Sequence, residues 1–333
     1  MLRVSLLVMT ILLASCTSRP APTTAEAKQP EQVADRPPEP QKAGETVTQI
    51  EMVNVNIRLD PELILKIRRL SGKLVPTKTG QTPSFDDKLS YIIDVDSAEI
   101  GVSTASMTHM MNKYVFGEPD APLKNLKLSI EKGQIKQEGT IRKGPGISFE
   151  TIGDMSVTPD GKIRIHPTKT KAAHVPVKGL MKLFGVDMAD LINSKHTRGI
   201  VVDDNDIILD ASQALPPPKM RGKITSVRIE GDDIVQTFGT AKPDAAAKTT
   251  PSNYMAYRGG VLKFGRLTMT DTDMRLVDAN PKDPFDFSPE HYNEHLVAGY
   301  SKTTASGGLI VYMPDYSKIS KALSPPTASR GGS

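Results

Sequence analysis

The amino-acid sequence predicts an α+β domain built on a mainly antiparallel sheet. Apolar and polar residues alternate over residues 53–59 and 126–130, as they do in strands that bury one face. Polar turn sequences at 159–161 and 230–233 join neighbouring apolar segments and favour antiparallel hairpins. Few segments have helical spacing. Many hairpin-connected strands with few helices form the pattern of an α+β fold.

Composition excludes several classes of protein. The 333 residues include 42 basic and 38 acidic side chains, which give a formal net charge of +4. This balance is too even for a dedicated nucleic-acid binder, so we expect no nucleic-acid partner. The single cysteine excludes a disulfide framework and a cysteine-rich zinc or iron–sulfur site. No apolar run reaches the roughly 20 residues that a membrane-spanning helix needs.

The first sixteen residues indicate a lipoprotein. Arg3 precedes a short apolar stretch over 4–13, which has the length of a signal-peptide core and not of a membrane span. The stretch is followed by two small residues and Cys16, a pattern that resembles the bacterial lipobox. We therefore predict a signal peptide over 1–15 and a diacylglyceryl group, with acyl chains such as palmitate, on the Cys16 thiol. An ordinary secretory signal that happens to carry a cysteine near its cleavage site is the alternative.

The residues after Cys16 predict a tethered protein of the cell envelope. Two or more acyl chains suffice for stable anchoring in a membrane. Thr17 stands where an aspartate tends to retain lipoproteins at the inner membrane, so an outer-membrane protein facing the periplasm is favoured if the bacterium has two membranes. Residues 16–48 are rich in Pro, Ala, Thr and Glu and contain Val33 as the one large aliphatic side chain before Val47. We expect this segment to be a disordered, Pro-rich tether that carries the lipidated cysteine.

A first domain is predicted over residues 49–240, and it begins with a strand over 53–59. Asp60 and Pro61 then provide a typical helix N-cap and first helical residue, so we expect a helix that ends near Gly72. Its apolar stripe, at helical spacing, consists of Leu63, Ile64, Ile67 and Leu70.

A second strand is predicted over 91–102 and a second helix over 103–116. The apolar face of this helix consists of Met107, Met110, Met111 and Val115. Hairpins dominate from 123 to 238, interrupted by a helical pattern over 175–192. Apolar residues of that pattern include Leu180, Met181, Leu183 and Phe184.

The remaining residues divide into three segments. Residues 241–253 are predicted to be a polar connector. Residues 254–320 are a β-rich C-terminal extension that either continues the same sheet or forms a small separate unit. Residues 321–333 are polar and are predicted to be a disordered tail.

Motifs for catalysis and metal binding are incomplete. His291, Glu294 and His295 match the spacing of the inverted zinc peptidases, but no downstream glutamate follows to supply the third ligand. We expect an exposed polar helical turn there. The acidic turns at 203–206 and 271–273 lack the spacing of an EF-hand. We therefore predict no enzymatic activity, no catalytic residue, no metal and no cofactor.

Four short segments carry a family resemblance: Leu126-Lys127-Leu128, Val175-Pro176-Val177-Lys178-Gly179-Leu180, Leu215-Pro216-Pro217-Pro218 through Gly222-Lys223-Ile224, and Val227-Arg228-Ile229-Glu230-Gly231. They resemble the LmeA-like phospholipid-binding family of the tubular lipid-binding (TULIP) superfamily. The resemblance implies a strongly curved, mainly antiparallel sheet wrapped around one or two helices, with an apolar groove for acyl chains. Residues 254–320 lie outside it.

The methionines of the predicted helices favour an adaptable apolar cavity, because thioether side chains are flexible; ordinary core filling is the alternative. The candidates for a lipid groove are Leu63, Ile64, Ile67, Leu70, Met107, Met110, Met111, Val115, Leu180, Met181, Leu183 and Phe184. Basic residues near these helices would bind a lipid headgroup or an acidic partner, or would form a solvated face. They are Lys66, Arg68, Arg69, Lys73, Lys178 and Lys182.

These observations predict a membrane-anchored envelope lipoprotein with an α+β lipid-binding domain over 49–240. It would bind or transfer a phospholipid or another acyl lipid without catalysis. Two alternatives remain open. One is a structural or accessory interaction module of an envelope complex, with a packed core and no cavity, and the other is an enzyme that acts on envelope lipids or glycans. The sequence leaves protein partners undetermined.

Overall fold

The computed structural model describes residues 47–142, 146–172, 197–239 and 252–323, and strands dominate these ranges. In chain order the strands are β1 (Gln49–Arg58), β2 (Ile64–Pro76), β3 (Tyr91–Ser103), β4 (Leu123–Glu131), β5 (Gln134–Ile141), β6 (Ile147–Val157), β7 (Ile163–Ala172), β8 (Ile200–Asp203), β9 (Asp206–Leu209), β10 (Lys219–Arg221), β11 (Ile224–Glu230), β12 (Asp233–Phe238), β13 (Tyr254–Arg258), β14 (Leu262–Phe264), β15 (Leu267–Met269), β16 (Asp273–Asp278), β17 (Phe285–Phe287), β18 (Tyr300–Thr303) and β19 (Leu309–Met313).

Helices are short in the described ranges. They are α1 (Thr104–Met110), continued by a π-helical turn (Met111–Val115), α2 (Ala211–Ala214), a 3₁₀ turn (Pro289–His291) that leads into α3 (Tyr292–Ala298), and α4 (Tyr316–Leu323). The last helix extends three residues into the segment predicted as a tail. None of the described helices is long and apolar enough to cross a membrane.

Two open sheets contain seventeen of the nineteen described strands, and β14 and β15 pair with each other in a separate two-stranded sheet. The larger has eleven strands in the order β11-β12-β3-β2-β1-β13-β16-β19-β18, with β10 beside β3 and β17 beside β1. The smaller has six strands in the order β4-β5-β6-β7-β9-β8. Most neighbours are antiparallel, whereas β1–β17, β10–β3 and β16–β19 are parallel. The prediction of a strand-rich, mainly antiparallel fold with few helices is confirmed.

The C-terminal extension continues the larger sheet. β13 pairs with β1 from Gln49 opposite Arg258 to Val53 opposite Tyr254. β16, β19 and β18 follow outward from β13. Because β1 also pairs with β2, the first strand of the described chain joins the N-terminal and C-terminal halves of the sheet.

The predicted helix over 60–72 is wrong, because these residues form a tight turn and strand β2. Asp60 does act as a cap, but its Oδ1 atom accepts hydrogen bonds from the backbone N–H groups of Glu62 and Leu63 and turns the chain back against β1. Of the predicted stripe, Leu63 lies in the turn and Ile64 begins the strand.

The strand resembled a helix because its alternation is interrupted. Leu65 and Ile67 are buried on one face, and the pairing register with β3 shifts between Ile67 and Arg69. The extra residue moves the next buried position to Leu70, three residues after Ile67. The three-residue interval from Ile67 to Leu70 equals the spacing of apolar residues on one face of a helix.

Gly72, expected to end that helix, lies inside β2. A Cβ atom at this position would approach the backbone oxygen of Asp94 on β3 to 2.3 Å. The glycine therefore allows the two longest strands to pair closely at a second register shift, between Ser71 and Gly72.

The second predicted helix is confirmed as α1 and its π-helical continuation. The Ser103 hydroxyl caps it by accepting a hydrogen bond from the backbone N–H of Ser106 at 3.1 Å. Met107, Met110 and Met111 are buried. The helix packs against β3 of the larger sheet and β4 of the smaller sheet, so it lies in the apolar core that both sheets share.

Several predicted features lie outside the described residues. They are the signal peptide, Cys16 and most of the tether, the helical pattern over 175–192 with Leu180, Met181, Leu183 and Phe184, most of the connector, and the end of the tail.

Candidate ligand cavity between the two sheets

A cavity of about 200 Å³ lies between the two sheets beside α1. The apolar residues that line the cavity are buried. Most of them come from α1 and from both sheets, and β10–β12 are among the contributing strands of the larger sheet. The apolar lining residues are Leu65, Ile100, Val102, Met107, Met110, Ile163, Leu209, Leu215, Met220, Ile224 and Phe238. Part of this apolar wall arises because Ile100 and Val102, alternate residues of β3, face the space between the layers, where Leu65 of β2 and Ile163 of β7 also lie.

Polar residues line the side of the cavity that reaches solvent, and we call Asp160, Lys162, Asp210, Ser212 and Arg221 the polar rim. Lys162 forms an ion pair with Asp160 at 2.9 Å. Hydrogen bonds from the Thr158 hydroxyl and then from Lys162 lower the pKa of Asp160 to about 2. The cavity is thus apolar inside and charged at its opening, which is the arrangement that amphiphilic ligands require.

Gln236 is the polar exception within the wall. It lies on β12 opposite Ile100, is 6% exposed and lines the cavity. Its side-chain amide makes no hydrogen bond to any part of the chain that the structure describes. In the described ranges the fully enclosed side-chain atoms without a hydrogen-bond partner are Thr151 Oγ1 and Arg164 Nε, so the Gln236 amide is open to the cavity, where a carbonyl or hydroxyl group of a ligand would bond to it.

The helix that supplies Met107 and Met110 is held by a buried carboxylate. The Oδ2 atom of Asp60 accepts hydrogen bonds from His109 (2.8 Å), Lys113 (2.9 Å) and Tyr114 (2.6 Å). We call Asp60 and these three residues the carboxylate clamp. Burial alone would raise the pKa of Asp60, but the bonds from Tyr114, Lys113, the Glu62 backbone and His109 outweigh it and hold that pKa well below its usual range. The clamp joins the β1–β2 turn to α1 and so fixes one wall of the cavity.

The predicted groove residues divide between this cavity and the surrounding core. Met107 and Met110 line the cavity. The other described candidates do not line it: Leu63, Ile67, Leu70, Met111 and Val115 are buried in the core, and Ile64 is half-buried. Sequence reasoning missed the strand residues of the wall, although the alternation of Ile100 and Val102 was a signal that could have found them.

The basic set expected near the helices lies elsewhere. Three of its members form ion pairs with acidic residues of the same sheet: Lys66 with Asp233, Arg68 with Glu99 and Glu230, and Lys73 with Asp94. These ion pairs lie on the exposed face of β2. Lys178 and Lys182 lie outside the described residues.

The histidine motif is structural, and the expected exposed turn is wrong for His295, which is completely buried. Its Nε2 atom accepts a hydrogen bond from the Ser288 backbone N–H at 3.1 Å, and its Nδ1 atom lies 2.8 Å from the Pro314 carbonyl oxygen, to which it donates. Burial lowers the pKa of His295, which keeps it neutral. Both ring nitrogens are occupied, so His295 cannot share a metal with His291. Among the described residues no group of three or more His, Cys, Asp or Glu side chains could hold a metal ion.

Comparison with known proteins gives no family for this chain, since no family model, no curated protein and no solved structure matches it.

Proposed function

We propose that this protein binds amphiphilic molecules, such as acyl lipids, with the apolar part of the ligand in the cavity between the two sheets. The observation that carries the proposal is an apolar space lined by flexible methionines of α1 and by both sheets, with a charged rim at its opening. Binding would be passive: apolar surface leaves water, and no bond is made or broken.

The size of the cavity limits the ligand. A protein cavity of about 150 Å³ accommodates benzene, so 200 Å³ accommodates one short aliphatic segment and not two full acyl chains. Burying about six methylene groups would contribute roughly 5 kcal/mol. A longer chain would have to extend through the opening or displace the methionine side chains.

The proposal includes an envelope location and a lipid anchor at Cys16. The support is the signal-like apolar stretch, the lone cysteine after two small residues and the Pro-rich segment that follows. The finer fold expectation, a TULIP-like curved sheet around a helix, belongs to the same proposal and is supported by α1, which packs against strands of both sheets.

Filling the cavity tests the binding function. Val102 is buried on β3 and lines the cavity, so Val102→Phe would occupy the space that a ligand needs. The matched control is Val297→Phe on α3, where the side chain is 86% exposed. We expect the purified full chain and the control to take up a fluorescent fatty-acyl probe, and Val102→Phe to lose most of that uptake while keeping its circular dichroism spectrum. Equal uptake by all three proteins, or no uptake by any, would refute the proposal.

The anchor has its own test. Cys16→Ser in a bacterial host that lipidates proteins should move the protein from the membrane fraction to the soluble fraction and remove the mass of the acyl chains. A membrane-bound Cys16→Ser variant would refute the anchor and leave the cavity proposal standing.

The alternative is an interaction module of an envelope complex. The observation that favours it is β18, the outermost strand of the larger sheet in the described residues, where Tyr300 is more than half exposed and stacks on Tyr312 of β19 at 4.8 Å. Co-purification of one protein partner that is lost in Tyr300→Ser, together with absence of ligand uptake, would favour this alternative.

A further inference from the structure

A basic groove of about 330 Å³ adjoins the cavity. Its lining residues are Ile92, Arg198, Ser212, Gln213, Lys219, Met220 and Arg221. Ser212, Met220 and Arg221 line the cavity as well, so the groove and the cavity are adjacent and share part of their walls.

The two cations Lys219 and Arg198 lack acidic partners. Within the described ranges no carboxylate forms an ion pair with either side chain. The nearby carboxylate of Asp210 accepts hydrogen bonds from the Ser212 hydroxyl (2.5 Å) and from the Gln213 amide (2.9 Å) instead. The charge of Asp210 acts on Lys219 only from a distance, so in the described ranges no carboxylate contacts either cation directly.

Lys219 has hydrogen-bonding capacity to spare. Its ammonium donates to the backbone oxygens of Gln213 (3.0 Å) and Leu215, which leaves one of its three N–H donors without a described acceptor. These two carbonyls fix the ammonium beside the groove. Burial, and secondarily the charge of Arg198, lower the pKa of Lys219 against the opposing effect of Asp210, and an anion beside the ammonium would favour its charged form.

Arg221 supplies a pre-oriented guanidinium. Its Nε and Nη2 atoms donate to the two carboxylate oxygens of Asp94, both at 3.1 Å, and this bidentate pair holds the plane of the group. Three further N–H donors of the guanidinium remain for a ligand.

We propose that the basic groove binds the anionic group, a phosphate or a carboxylate, of an amphiphile whose apolar part lies in the adjoining cavity. This inference rests on the proposed function for the apolar part of the ligand. It adds that Lys219 and Arg198 neutralise the head of the ligand, with Arg221 as an additional donor.

The test compares three probes that share one chain, namely decyl phosphate, decanoate and decanol, together with inorganic phosphate alone. The purified full chain should bind the two charged probes at least about tenfold more tightly than decanol, as charge-assisted hydrogen bonds predict. The double variant Lys219→Gln/Arg198→Gln should lose that preference and keep its affinity for decanol. The control is Lys282→Gln/Arg266→Gln, which removes the same charges from exposed turns.

The possible results distinguish the groove proposal from the cavity proposal. If the wild type binds decyl phosphate, decanoate and decanol equally well, the groove proposal is refuted and the cavity proposal stands. If inorganic phosphate binds and the double variant abolishes it while no decyl probe binds, the anion site is supported without the cavity. If nothing binds, both proposals are refuted. Decyl phosphate that binds much more tightly than inorganic phosphate identifies an amphiphile, and not free phosphate, as the ligand class.

Discussion

The interior of this protein is filled differently in two regions. Beneath the C-terminal part of the larger sheet, Phe85 packs edge-on against Tyr257 at 5.5 Å and against Phe264 at 4.9 Å, and it also contacts Tyr292. Phe285 and Phe287, which are also buried, pack against each other with their ring centres 5.7 Å apart. Around the cavity, by contrast, Leu, Ile, Val and Met predominate and leave about 200 Å³ unfilled.

The difference indicates a division of the core into two regions with different roles. Aromatic rings have few rotatable bonds and interlock edge to face, so they fill space and fix strand positions. Methionine side chains are unbranched, have three rotatable side-chain bonds and can yield to a ligand. The aromatic region would therefore hold the sheet in place while the aliphatic region adapts to a ligand.

Large-to-small changes should separate the two regions most strongly. Phe85→Ala removes a buried ring with three ring partners and should lower the free energy of unfolding by about 3–5 kcal/mol. Met107→Ala at the cavity should cost about 2 kcal/mol, because Met107 already borders empty space. Urea denaturation measures both values. A larger loss for Met107→Ala would contradict the division and would indicate that the α1 region carries the fold.

The carboxylate clamp offers a second way to test the cavity region. Asp60→Asn keeps the shape of the side chain but removes the charge that His109, Lys113 and Tyr114 share, and should cost about 2–3 kcal/mol. It should also loosen α1 and weaken probe uptake. The control is Asp271→Asn, an exposed turn residue. An unchanged free energy of unfolding in Asp60→Asn would mean that packing alone holds the helix.

The clamp also predicts a pH dependence with a definite sign. The folded-state pKa of Asp60 lies below its unfolded value, so its contribution to stability is present above the unfolded pKa and is lost as the pH falls through the acidic range. Between pH 7 and pH 3, the difference in unfolding free energy between wild type and Asp60→Asn should therefore shrink. A difference that grows toward low pH would contradict this assignment.

How far the sequence predicts this arrangement depends on whether contacts are local. The α1 helix was predictable because Ser103 caps it and its methionines follow helical spacing, both within one segment. The hairpins were predictable from their turns. β2 was misjudged because the register shift near Arg68 is imposed by pairing with β3, which no local pattern reveals.

The candidate site was only partly predictable for the same reason. Met107 and Met110 stood out by composition and spacing. Gln236 lies in the cavity wall because β12 pairs with β3, more than a hundred residues earlier in the chain. Lys219 meets Arg198 only after β10 has joined β3 in parallel and α2 has folded beside it. A single charged or amide residue gives no indication in the sequence of which distant residue it will contact in the fold.

A substitution of Gln236 tests the cavity wall itself. Gln236→Leu replaces an amide that is open to the cavity with an apolar side chain of similar size, and should neither lower the free energy of unfolding nor raise it by more than about 1 kcal/mol. The same variant should bind a methyl ester of a short fatty acid several-fold more weakly while its affinity for the matching alkane stays constant. Loss of stability in Gln236→Leu would show that the amide has a structural partner and is not a ligand contact.

The smallest effect is expected on the outer face of the same sheet, where the two regions differ again. Over β2 and β3 this face carries ion pairs, among them Arg68 with Glu99, whereas over β13, β16 and β19 it carries an apolar cluster that includes Tyr254 and Val277. Because Arg68 and Glu99 are partly solvated, a double-mutant cycle with Arg68→Gln and Glu99→Gln should give a coupling below about 1 kcal/mol that decreases as salt is added. A coupling as large as the cost of Asp60→Asn would mean that surface charge, and not the clamp, holds the cavity region together.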